Sequence, residues 1–123
     1  MQAWYPIDAA EYKSKINKDN VAWPRHGIKM IRGMLSQPQA SGLAWLSPIV
    51  LFKHLLAVKM DVVVGGQLAE EFRKGGKKLI PIVFSHGVRS NGSVYSMMLK
   101  EWASYGYLVL AINHLDDTCL HTV

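Results

Sequence analysis

Apolar residues are concentrated differently in the two parts of this chain, and the later part is the easier to read. Residues 79–84, Leu-Ile-Pro-Ile-Val-Phe, form a short continuous apolar run that stops at Ser85-His86-Gly87. A run of this length suits a strand buried on both faces, as in a parallel sheet, with Pro81 near the strand start. Ser90-Asn91-Gly92-Ser93 then supplies loop and helix-capping residues. Val94, Met97, Met98 and Trp102 recur at i, i+3, i+4 and i+8, which predicts one apolar face of a helix. Gly106 suits the left-handed position that closes such a helix. Residues 107–112, Tyr-Leu-Val-Leu-Ala-Ile, predict a second buried strand. Strand, helix, strand in this order is a βαβ unit and points to an α/β fold.

The first 76 residues are less regular. Trp4, Tyr5 and Ile7 predict a short strand ending at Tyr5-Pro6, because proline sits at strand edges and ends. The lysines that follow, Lys13, Lys15 and Lys18, read as a solvated loop. Between 21 and 76 the pattern is helical and interrupted: a partial stripe over Ile28, Met30, Ile31 and Leu35, an apolar helix around 45–58, and a charged turn at 68–74 bounded by Gly65-Gly66 and Gly75-Gly76. Two segments are therefore expected, 1–76 and 77–123, within one domain.

Composition narrows the function classes. The chain has 123 residues, half of them hydrophobic, enough for one packed core and too few for two. A single cysteine excludes a disulfide framework and fits a reducing, cytoplasmic compartment. The net charge of +5 suits an anionic surface, but its spread gives no argument for nucleic acid. The N-terminal residues lack a basic region followed by an apolar run, so no secretory signal is expected. Residues 43–58 are the most apolar stretch, yet they contain Lys53 and His54 and fall short of the ~20 residues that cross a bilayer. That segment reads as a core helix or as a helix lying in a membrane interface, with Trp45, Leu46, Leu51, Phe52 and Leu55 entering lipid.

Candidate chemistry gathers at the ends of the two strands. Ligands in open α/β sheets collect at that edge, and Gly87 there lets the backbone turn and expose amide N–H groups. His114, Asp116, Asp117, Cys119 and His121 are metal-ligating types, but they crowd one loop with no second cluster, so an ordinary solvated loop is expected. A Cys119–His121 nucleophile pair is equally unsupported by spacing. No serine stands in Gly-x-Ser-x-Gly, and no phosphate-binding loop or dinucleotide fingerprint is present. Ser85 and His86 are adjacent, a spacing that seldom makes a working pair.

The strand–loop–helix–strand unit resembles the platelet-activating factor acetylhydrolase family, in its plasma and intracellular type II branch. The resemblance lies in Ile80-Pro81-Ile82-Val83-Phe84-Ser85-His86-Gly87, then Val94-Tyr95-Ser96, then the run from Trp102 through Gly106 to Asn113-His114-Leu115-Asp116. Trp4-Tyr5-Pro6 is similar to that family's early strand. What the resemblance implies is an α/β-hydrolase fold with a mainly parallel sheet, of which this chain holds the front strands and the first helix. It further implies a serine carboxylic-ester hydrolase with no metal or other cofactor, acting on the short sn-2 acyl ester of a phospholipid. In the family the residue after the His-Gly pair gives a backbone N–H to the oxyanion hole; here that residue is Val88, with His86 and Gly87 as its supporting loop. Two departures stand out: the loop Arg89-Ser90-Asn91-Gly92, and Leu115 where an arginine is common.

The family's serine, aspartate and histidine lie beyond its second strand, so none of the triad is expected among these residues, and the chain alone is expected to be inactive. An isolated half sheet would expose an apolar edge, at 107–112 or the neighbouring strand, and is expected to be insoluble or molten. The competing class is a non-enzymatic module that binds a lipid surface or a protein. An unrelated flavodoxin-like domain would need a phosphate loop, and none is present.

Overall fold

A computed structural model describes residues 1–19, 21–23, 27, 30, 50–88 and 90–114. Among them the elements are β1 (Gln2–Trp4), α1 (Ala9–Asp19), α2 (Val50–Ala57), α3 (Glu70–Arg73), β2 (Ile80–Ser85), a 3-10 turn (Gly92–Tyr95), α4 (Ser96–Ser104) and β3 (Tyr107–Ile112). The expected βαβ unit is present, as β2, α4 and β3.

The three strands lie in the order β1-β3-β2. β2 and β3 are parallel, in a register that sets Ile82 beside Val109 and Phe84 beside Ala111. β1 pairs with β3 in the opposite direction, with Trp4 beside Val109 and Gln2 beside Ala111. The sheet is therefore mixed, one antiparallel and one parallel pair, rather than mainly parallel. β3 is the central strand and β2 an edge strand among the described residues, which is where Pro81 is tolerated, since it has no N–H to give a ladder.

Side chains alternate across the pleat, so Trp4, Val109 and Ile82 form one row on a single face and Ala111 with Phe84 the next. α4 covers that face. Leu99, Val109 and Ala111 are fully buried, with Trp4, Ile82, Phe84, Tyr95, Met98, Trp102 and Tyr107 packed around them. Phe84 meets Tyr95 and Trp102 edge-on, at centroid distances of 5.0 and 6.0 Å.

Two expectations about this unit change. The run 79–84 was expected to be buried on both faces, but Val83, on the face away from α4, is 66% exposed. The helical stripe holds only in part: Met98 and Trp102 pack against the core, but Val94 and Met97 are exposed, Met97 at 74%, and the buried positions of the helix are Ser96, Leu99 and Ala103. Two of these three buried positions, Ser96 and Ala103, carry small side chains, and Leu99 packs with Val109 and Ala111 of the sheet. A stripe of the largest apolar residues passes over Ser96 and Ala103, whose burial is set by tertiary contact rather than by their size.

The N-terminal lysines lie on α1, not on a loop. Few apolar residues mark this helix, which turns Tyr12 and Ile16 inward as an i, i+4 pair and is stitched by a 2.7 Å Lys15–Glu11 ion pair. Glu11 also accepts from the Gln67 backbone N–H at 3.2 Å, and these partners hold its carboxyl below the usual carboxylate range. The Tyr5 hydroxyl donates to the Gly66 carbonyl at 2.7 Å, and the Ala69 N–H to the Pro6 carbonyl at 3.0 Å. β1 and α1 are thereby tied to the segment leading into α3. The turn after α4 closes as expected, with Gly106 at φ 93°.

Candidate active site

Parallel pairing brings the carboxyl ends of β2 and β3 side by side, Ser85 opposite Ile112. The residues that leave those ends, His86 to Val88 from β2 and Asn113 with His114 from β3, therefore emerge at one edge of the sheet. Their side chains knit the two exits together. His86 is 5% exposed, and its ring packs edge-on against His114 at 4.6 Å. The backbone N–H of His114 lies 3.3 Å from His86 Nε2, and His86 Nδ1 lies 2.9 Å from the Gly87 carbonyl oxygen. The Ser85 hydroxyl is 2.8 Å from His114 Nε2.

The segment after Val88 is equally well held. Asn91 is buried, and its side-chain oxygen accepts from the N–H groups of Ser93 at 3.0 Å and Val94 at 3.3 Å, capping the 3-10 turn. Asn113 Oδ1 accepts from the Gly92 N–H at 2.9 Å, so β3 anchors this loop from its other side. Trp23 Nε1 donates to the Ser93 carbonyl at 2.8 Å. The expected capping role of Ser90-Asn91-Gly92-Ser93 thus falls to Asn91.

Val88 stands at the rim, 82% exposed. Gly87 does not take the left-handed backbone expected of a sharp turn; the described glycines with positive φ are Gly27, Gly65, Gly75 and Gly106. A Cβ at Gly87 would lie 3.5 Å from the Tyr95 hydroxyl, ordinary contact distance. A side chain's first carbon would therefore fit here, so neither crowding nor an unusual dihedral requires the glycine.

Sequence spacing overlooked Ser85 with His114, which are 29 positions apart, and Asn113 with Gly92. The usable signal was the βαβ unit itself, since parallel neighbours release their next residues at the same edge. Asp116, Asp117, Cys119 and His121 lie outside the described residues, as do Arg89 and Leu115. Among the described residues no group of His, Cys, Asp or Glu is placed to hold a metal ion. Trp45 and Leu46 also lie outside them. Leu51 and Phe52 belong to α2, whose backbone is described there, and Leu55 is half-buried on the same helix. No described helix is long and apolar enough to cross a membrane.

The family described as platelet-activating factor acetylhydrolase, isoform II, matches residues 1–123, the whole chain. The chain belongs to that family. A platelet-activating factor acetylhydrolase of Cavia porcellus is 41% identical over 49 residues, covering 40% of this chain and 11% of that protein. One from Gallus gallus is 41% identical over 49 residues, covering 40% of this chain and 12% of that protein. The matched stretch is thus a small part of either relative. No solved structure matches. Membership of this acetylhydrolase family, together with the mixed α/β architecture, makes the joined ends of β2 and β3 the place to look for its chemistry.

Proposed function

We propose that these residues form the oxyanion side of an esterase site that removes a short acyl group from the sn-2 position of a phospholipid, with platelet-activating factor as the model substrate. The observation that carries the reading is the loop from His86 to Val88, fixed by hydrogen bonds at the carboxyl end of parallel strands, with Val88 at the open rim. The Val88 N–H receives the charge that develops on the carbonyl oxygen when a serine attacks. The serine oxygen bonds to the acyl carbon while its proton passes to a histidine. The ester C–O bond then breaks, and the glycerol oxygen leaves with that proton. Water repeats the sequence on the acyl-enzyme and frees the carboxylic acid. A backbone donor serves this step whatever its side chain, so valine is compatible with the role.

In this reading the serine, histidine and aspartate come from outside these 123 residues, because no serine here stands in Gly-x-Ser-x-Gly. The chain alone is then inactive. α2 supplies the peripheral contact with the lipid surface through Leu51, Phe52 and Leu55, with Trp45 and Leu46 preceding it, and the protein works in the cytoplasm without a metal or other cofactor. The test is hydrolysis of a 2-acetyl phospholipid by the complete protein in the presence of a chelator. Release of acetate supports the assignment; its absence with properly folded protein overturns it.

A further inference from the structure

We propose that His86 is the positioning residue that aims the Val88 N–H, acting through the Gly87–Val88 peptide plane; this rests on the oxyanion reading above. The His86 imidazole has two backbone partners, the Gly87 carbonyl and the His114 N–H. The Gly87 carbonyl, 2.9 Å from Nδ1, can only accept, so Nδ1 must carry the proton. The His114 backbone N–H, 3.3 Å from Nε2, can only donate, so Nε2 must be bare. One tautomer satisfies both contacts: the neutral ring protonated at Nδ1. A second proton would set an N–H against the N–H of His114.

The consequence lies one atom further along the chain. Gly87 C=O and Val88 N–H belong to the same planar peptide unit, and in a trans peptide they point in opposite directions. Holding the carbonyl toward the His86 ring therefore turns the Val88 N–H away from the ring. The ring is itself held, buried to 5% exposure and bonded to the backbone just beyond β3. The direction of the donor is thus set by the packing of two strand ends, ahead of any substrate. Such preorganisation is what makes an oxyanion donor effective, because no reorientation is needed when the charge appears.

Gly87 makes the dependence on His86 stronger. It has no side chain of its own to restrict rotation of that peptide. Without the ring, the plane loses the hydrogen bond that selects one orientation.

The experiment uses the complete protein with His86→Leu and His86→Asn. The asparagine amide places an N–H close to the position of Nδ1, whereas leucine fills the volume and donates nothing. On a 2-acetyl phospholipid, His86→Leu is expected to lower kcat by about 10²–10³-fold, the usual effect of losing one oxyanion donor, with KM nearly unchanged. His86→Asn is expected to recover most of that loss. Equal kcat losses in both variants, with far-UV circular dichroism matching the parent, would overturn the proposal, as would a change confined to KM. Long-range ¹H–¹⁵N correlation of the parent's histidine rings tests the tautomer independently of turnover. A neutral ring protonated at Nδ1 supports the positioning role, and an Nε2–H or charged ring at neutral pH overturns it. If the parent hydrolyses no ester, the esterase reading fails, while the ring spectrum still decides whether His86 orients the peptide.

Discussion

Ser85 and His114 meet across the ends of two parallel strands, with the serine hydroxyl 2.8 Å from the histidine Nε2. The pair has the side-chain types of a nucleophile and its base, but its setting differs from that of a nucleophile. Ser85 is the last residue of β2 and is paired with Ile112, so its backbone is extended rather than turned sharply between a strand and a helix. Ser85→Ala in the complete protein is expected to leave acyl-enzyme formation intact and to cost no more than about 1 kcal/mol of stability. Mass spectrometry after treatment with a phosphonate ester checks this. If the alanine variant no longer takes up the phosphonyl group while the parent does, Ser85 is itself the nucleophile.

The face that α4 turns to the sheet is open to a paired substitution. Leu99 is fully buried and Met97 is 74% exposed, only two positions away. Leu99→Ala is expected to cost about 2–5 kcal/mol through lost contacts and the cavity left behind. Met97→Ala is expected to stay within about 0.5 kcal/mol of the parent. Urea unfolding of the complete protein measures both, and similar losses would mean that the helix is rotated from the orientation described.

Asn91 offers a test of the loop. Its side-chain oxygen satisfies two N–H groups of the 3-10 turn, and the residue is buried at 3% exposure. Asn91→Ala is expected to destabilise by about 1–2 kcal/mol, whereas Asn91→Asp keeps the acceptor and loses less. Thermal melts of the two variants give the comparison; if aspartate is no better than alanine, the cap is not what holds the loop.

Tyr12, Asp61 and Lys100 form a surface cluster that joins α1 to α4 and predicts a pH response. The Asp61 carboxylate accepts from Lys100 Nζ and from the Tyr12 hydroxyl, and these bonds hold its carboxyl below the usual range. The same hydrogen bond pushes the Tyr12 phenol up to about 12. Stability from Asp61 is present above its unfolded value and is lost as pH falls through the lowered folded value. Stability from Tyr12 has the opposite sign: it is present below the ordinary phenol range and is lost as pH rises towards about 12. Both groups lie at the surface, so Asp61→Asn is expected to remove about 1 kcal/mol or less at neutral pH. Ultraviolet titration of the phenol should show ionisation moving down in Asp61→Asn, and an unchanged titration would dissolve the link.

Much of the βαβ unit was legible because continuous apolar runs and a closing glycine are strong local signals. What escaped was set by tertiary contact. α1 is specified by a few inward residues and by partners such as Gln67, distant in sequence, so its lysines read as loop. Strand direction is likewise invisible locally: Gln2–Trp4 pairs antiparallel with residues at the far end of the described chain. At the candidate site, His86 and Gly87 were conspicuous by position. The bonds of Ser85 and His86 to His114 depended on the strand register.

The pairing of Gln2 with Ala111 also bears on how the protein is made. Among the described strands, β1 leaves the ribosome roughly a hundred residues ahead of the partner it pairs with, an interval on the order of 5–20 s at ordinary synthesis rates. Folding of this region cannot proceed strictly from the N-terminus: β2, α4 and β3 can assemble first as a local unit, and β1 must then be recruited to the free side of β3. Pausing during translation would lengthen the time for which that side stays open, so that β1, made before β2 and β3, reaches its native place after them.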